Sequence, residues 1–177
     1  MKISASWDAD MAVEEMYAAH YKRLVRLAVL LVRDKETAED VVQDSFVAMH
    51  GRWRTLREPD KALAYLRQTV VNRSRSVLRH RGVQARHAPP AGRDERGQLP
   101  GDQPGADVYA LDAERRAYIL AALHELSDRQ REVLTLRYYL DLPEAAIADA
   151  LGISRGAVKS HASRGVSALR SLLKDAQ

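Results

Sequence analysis

Apolar residues recur every three or four positions through most of this chain, the spacing of helices with one buried face. Asp8 to about Val32 carries Tyr17, Leu24, Leu27 and Leu31 on one stripe and predicts a first helix. Thr37-Ala38-Glu39-Asp40 has the form of a capping box just ahead of Val41-Val42, so a second helix is expected to start at Thr37. Its apolar stripe is Val42, Phe46, Met49 and Trp53, and its opposite face carries Asp40, Gln43, Asp44 and Val47. Glu58-Pro59-Asp60 marks a turn, after which Lys61 to Arg81 predicts a third helix ended by Gly82. That helix buries Leu63, Leu66, Val70 and Val77 and presents Gln68, Asn72, Arg75 and Arg79 elsewhere. Together with a short piece around Trp53 to Leu56, these helices can close a small bundle.

From Gly82 to Asp107 the periodicity stops. Four of the six prolines lie here, in Ala88-Pro89-Pro90-Ala91-Gly92 and around Pro100 and Pro104, a composition that buries too little apolar surface to order itself. Helical spacing resumes from Ala110 to Leu126, and Ser127-Asp128-Arg129-Gln130 has the form of a second capping box opening a helix through Tyr139. The last segment reads as helix, tight turn, helix. Pro143 opens the first helix, and Ile147, Ala148 and Leu151 line its inner face. Gly152 can stop it in the left-handed conformation, and Ser154 is placed to cap the next helix. There Val158, Ala162, Gly165, Leu169 and Leu172 form the buried stripe, while Arg155, Lys159, Ser160, Ser163 and Arg164 lie outside it. The expected fold is all-α, with two small helical domains joined by a flexible linker. An N-terminal bundle spans 8–82, the linker 83–107 and a C-terminal helix-turn-helix domain 108–175.

A short basic helix after a glycine turn is how helix-turn-helix proteins present a reading helix to the major groove. No acidic residue occurs between Ala150 and Leu173, and Ser154, Arg155, Lys159, Ser160, Ser163 and Arg164 are the candidate DNA contacts. The formal net charge of +4 is modest, but its distribution is uneven. Asp34, Glu36, Glu39, Asp40 and Asp44 fall together against a single Lys35, whereas Lys61 to Arg86 holds seven basic residues and no acid. Such blocks suit two different partners, one basic and one a polyanion. Arginine outnumbers lysine 22 to 6, a bias that a GC-rich genome produces as readily as phosphate recognition does.

Other chemistries find little support. There is no cysteine, which rules out a disulfide framework and a thiolate zinc site. The six histidines show no pair at ligand spacing with carboxylates, so no metal or other cofactor is expected. The first fifteen residues, with Asp8, Asp10, Glu14 and Glu15, do not read as a signal peptide. The longest apolar run, Leu27 to Val32, is far short of the ~20 residues of a membrane span, and a cytoplasmic protein is expected.

Three blocks in order carry a family resemblance: Asp40-Val41-Val42-Gln43-Asp44-Ser45-Phe46, then Tyr65-Leu66-Arg67-Gln68-Thr69-Val70-Val71-Asn72-Arg73, then Leu126-Ser127-Asp128-Arg129-Gln130-Arg131-Glu132-Val133-Leu134 leading into the helix-turn-helix. From about Tyr17 to Leu173 the chain resembles the extracytoplasmic-function (group four) sigma factors of bacterial RNA polymerase. The resemblance implies that Asp40, Gln43 and Asp44, with Val47 on the same face, dock on the clamp helices of core polymerase. It implies that the third helix and the loop before it hold the unwound strand of the minus-ten element, through Lys61, Gln68, Asn72, Arg75 and Arg79. The C-terminal domain would read the minus-thirty-five element, and the linker would thread toward the RNA exit channel. Two positions depart from the family pattern. Tyr65 stands where a Trp is common, and Ser76 where an Asp is frequent; both bear on promoter choice. The resemblance leaves open whether an anti-sigma protein restrains the chain.

Two other classes fit the sequence less well. A two-domain helix-turn-helix activator does not account for the adjoining acidic and basic blocks. A metal-dependent nuclease using Glu36, Glu39, Asp40 and Asp44 lacks a third ligand, a Gly-rich phosphate loop and a nucleophile elbow. The chain is therefore expected not to be an enzyme.

Overall fold

The computed structural model of the chain describes residues 4–56, 58–87 and 106–174. Among the described residues all regular structure is helical. Three long helices, α1 (Ser4–Val32), α2 (Lys35–Leu56) and α3 (Pro59–His87), form the N-terminal bundle. The C-terminal half comprises α4 (Ala106–Glu125), α5 (Asp128–Leu134), α6 (Glu144–Leu151) and α7 (Arg155–Lys174). The expected stripes are the ones that meet. Leu24, Leu27 and Leu31 from α1, Val42 and Met49 from α2, and Leu66 and Val70 from α3 are all sealed from solvent. Each such side chain contributes about 1.5–3 kcal/mol by leaving water. Tyr17 is the exception: it stays exposed at the bundle surface and stacks on Tyr21, ring centroids 4.4 Å apart.

Several helix ends differ from the sequence expectation. The cap of α2 is Asp34 rather than Thr37. The Thr37 N–H donates to Asp34 Oδ1 at 2.8 Å, while the Thr37 hydroxyl accepts from Arg81 at 2.6 Å. Gly82 does not stop α3, which runs on to His87 because nothing there forces a left-handed residue. The described ends of α3 and α4 thus take up both edges of the expected linker; its flexibility, and residues 88–105, lie outside the described residues. Ser127 stands at the N-cap of α5, but its hydroxyl makes no cap bond. Arg131 instead ties that turn, donating to Asp128 Oδ1 at 2.6 Å and to the Leu126 carbonyl at 3.3 Å. The helix to Tyr139 widens into a π-helical turn over Thr135–Tyr139, and the left-handed Asp141 then reverses the chain. Pro143 serves as the N-cap of α6, one position before the expected one.

The two halves are not beads on a string. Val133, Leu136, Leu140, Ile147 and Leu151 join one continuous apolar core with the bundle residues. A second cluster sets Leu123, Leu126 and Leu134 against Leu30 of α1. Polar ties reinforce the seam. Tyr139 Oη donates to the Arg23 carbonyl at 3.2 Å, and the Arg33 guanidinium donates to the His124 carbonyl. His124 is itself largely buried there, and burial, with Arg131 and Arg33 nearby, lowers its pKa to about 4.

Candidate nucleic-acid interface and acidic docking face

The reading helix follows directly from two residues. Gly152 ends α6 at φ 63°, ψ 40°, a conformation in which a Cβ is sterically strained. Ser154 then caps α7, its Oγ accepting the Ala157 N–H at 3.1 Å. Val158, Ala162 and Gly165 turn inward, with Leu169 and Leu172 half-buried behind them. Arg155, Lys159, Ser160, Ser163 and Arg164 all stand in solvent, as does Ser154. Arg164 Nε bonds the Ser160 carbonyl at 3.3 Å, which leaves its terminal nitrogens on the outer face.

The sequence reading missed part of this surface. Arg137 and Tyr138, from the π-helical turn, border an open groove of about 360 Å³ with Lys159, Ser163 and Arg170. Glu144 joins the two sides, accepting from Arg137 at 3.3 Å and lying 3.8 Å from Lys159. Nothing in the linear pattern marks Arg137, because the π-helical turn that sets its direction lies where a regular helix is expected.

On the bundle, Asp40, Gln43, Asp44 and Val47 share one exposed face of α2, opposite the buried Val42-Phe46-Met49-Trp53 stripe. Val47 is 73% exposed at the C-terminal end of the face that carries Asp40, Gln43 and Asp44, so packing within the chain does not account for it. Asp44 also pairs with Arg73 of α3 at 2.9 Å, which orients its carboxylate without withdrawing it from solvent. On α3, Gln68, Asn72 and Arg79 are exposed, and Lys61 is exposed while pairing with Glu58 at 2.8 Å. Tyr65 lies under the Arg52 guanidinium, whose Cζ is 5.8 Å from the ring centroid.

Arg75 is the exception among the candidates. Its Nε and Nη2 donate to Glu132 Oε1 and Oε2 of α5 at 2.6 and 2.9 Å. Glu132 is almost fully buried and also receives Arg129 at 3.1 Å. In this conformation Arg75 does not face solvent with its neighbours, because a carboxylate of the other half holds it.

Residues 16–83 match the family profile Sigma-70 region 2, and residues 116–169 match Sigma-70, region 4. The RNA polymerase sigma-E factor of Streptomyces coelicolor is 32% identical over 157 residues, covering 89% of this chain and 83% of that protein. The chain belongs to the extracytoplasmic-function group of the sigma-70 family. The sigma factor SigL of Mycobacterium tuberculosis is 31% identical over 180 residues, with 98% of this chain and 96% of that one covered. Among solved structures the fold resembles RpoE of Bartonella quintana, crystallised with the anti-sigma factor NepR (TM-score 0.67, 22% identity, 93% and 92% of the two chains). It also resembles CnrH bound to the cytosolic domain of CnrY (TM-score 0.66, 23% identity, 97% and 98%). Sigma factors of this group direct promoter-specific transcription, and the activator alternative is not favoured. Among the described residues no three His, Cys, Asp or Glu side chains come together as a metal site, and no helix is long and apolar enough to cross a membrane.

Proposed function

We propose that this sigma factor docks on core RNA polymerase through Asp40, Gln43, Asp44 and Val47. The observation that carries this is Val47, an apolar side chain left in solvent on the face that carries Asp40, Gln43 and Asp44. A basic partner with an apolar spot would cover it and satisfy the carboxylates by charge-assisted hydrogen bonds. Lys61, Gln68, Asn72, Arg75 and Arg79 are assigned to the minus-ten strand, and Ser154, Arg155, Lys159, Ser160, Ser163 and Arg164 to the minus-thirty-five element. Arg137 joins the second set as a phosphate contact across the groove from Lys159. The functional units are 8–82 for polymerase and minus-ten binding, 83–107 as tether and 108–175 for the upstream element. The role is non-catalytic, cofactor-free and cytoplasmic.

Run-off transcription with purified core polymerase on genomic fragments tests the reading. Added chain is expected to yield discrete transcripts. Asp44→Lys is expected to weaken capture of core polymerase while the far-ultraviolet spectrum stays helical. Unchanged capture at moderate salt would refute the docking face.

A further inference from the structure

Glu144 places an acid between two cations of the groove beside the reading helix. As the first residue of α6 it favours the helix dipole, but its carboxylate also faces side chains from two other elements. Oε1 accepts from Arg137 Nη1 of the π-helical turn at 3.3 Å, and Oε2 lies 3.8 Å from Lys159 Nζ of α7. The carboxylate is the deeper group, its side chain 32% exposed against 69% for Lys159. Of the exposed candidates on α7, Lys159 alone stands in an ion pair among the described residues.

The two contacts are unequal. Arg137 makes a hydrogen bond and fixes the carboxylate, while its remaining N–H groups stay available to a phosphate. Lys159 sits beyond hydrogen-bond distance, so its ammonium is directed toward α6 without donating its protons there. A lysine is a point charge on a flexible stem and, unrestrained, takes whatever phosphate oxygen comes within reach. Such contacts add affinity and carry no sequence information. A carboxylate fixed behind the ammonium repels nearby phosphates and keeps the cation away from them. Its protons then remain for acceptors on a base edge, such as guanine N7 and O6.

We propose that Glu144 is a positioning residue for base recognition in the upstream element: pinned by Arg137, it turns Lys159 from a phosphate contact into a reader of guanine. This rests on the assignment of Lys159 to that element, which Lys159→Ala tests separately.

Holoenzyme assembled from core polymerase and the full chain is titrated against a labelled duplex promoter fragment recovered by run-off transcription. The same fragment with its upstream element scrambled is titrated alongside. Glu144→Gln keeps the shape of the side chain and removes its charge. It is expected to lower the ratio of the two affinities about tenfold, with the scrambled fragment bound more tightly than by the unchanged chain. The salt dependence on that fragment should steepen by about one as Lys159 gains a phosphate. In a Lys159→Ala background the same substitution should leave the ratio where Lys159→Ala alone puts it. Lys159→Ala without effect on either fragment overturns the assignment of Lys159, and the positioning role with it. If Lys159→Ala lowers the ratio while Glu144→Gln changes neither ratio nor slope, the positioning role alone is overturned. Loss of affinity on both fragments in Glu144→Gln also overturns it, because that is the result of a merely structural carboxylate at the start of α6. A further fall in the ratio of the double variant overturns the action through Lys159.

Discussion

At Gly165 α7 passes close to α5, and replacing it with alanine tests how tightly the reading helix is set. A Cβ at this position would lie 3.1 Å from Leu134 Cδ1, 3.2 Å from Leu134 Cγ and 3.3 Å from Gln130 Cβ. The Gln130 Cβ is fixed to its backbone, and Leu134 is wedged among Leu123, Leu126 and Leu30, so neither neighbour gives way freely. Overpacking of this kind costs about 1–3 kcal/mol, and alanine returns about 0.8–1 kcal/mol of helix propensity. The net expectation is a loss of about 1 kcal/mol, or roughly 2–4 °C in melting temperature for a chain of this size. Gly51 provides the control, since a Cβ there meets nothing within 4 Å. Gly51→Ala should raise the melting temperature while Gly165→Ala lowers it, measured by calorimetry under one buffer condition. In a Leu134→Ala background the two nearer contacts are gone and only Gln130 Cβ remains, so Gly165→Ala should cost less than in the unchanged chain. A rise in melting temperature for Gly165→Ala in the otherwise unchanged chain would refute the close approach.

Three further outcomes follow from the geometry. Ser154→Ala removes the cap of α7 and should cost about 1 kcal/mol by thermal unfolding, whereas Ser154→Asp should retain most of it. In the holoenzyme, Arg155→Ala should relax base preference in the upstream element by about 1–3 kcal/mol. Arg164→Ala should weaken all sequences alike with a shallower salt slope, and the reverse pattern would exchange the two roles. His124, neutral in the fold down to about pH 4, is protonated in the unfolded chain below about 6.5. The unfolded state therefore binds the extra proton in that window, and stability should fall as pH drops from 6.5 toward 4. His124→Gln should flatten this part of the melting-temperature profile, and an unchanged slope would place the titration elsewhere.

Local features were legible because each is fixed by neighbours within one turn. The left-handed stop at Gly152, the cap at Ser154, the inward Val158-Ala162-Gly165 stripe and the outward acidic face of α2 need only helical spacing and glycine's missing Cβ. The errors are of the same short range, but they involve competition between equivalent groups. Asp34 and Thr37 both suit an N-cap. The choice falls to Asp34 because Arg81, forty-four residues on, occupies the Thr37 hydroxyl and also pairs with Asp34 at 2.7 Å. Gly82 resembles a stop signal, but it lies in open space on a helix that carries through it.

What the linear pattern could not reveal is which charges face one another across the two halves. Ser127-Asp128-Arg129-Gln130 reads only as a capping box, and Arg75 reads as one cation in a basic row. Burial changes the meaning of both. Glu132 loses its water, so it requires cationic partners, and the continuous core from Leu24 to Ile147 brings Arg75 within 2.6 Å. A Pro-rich segment removes periodicity from the sequence between the two helical domains without preventing their apolar faces from meeting.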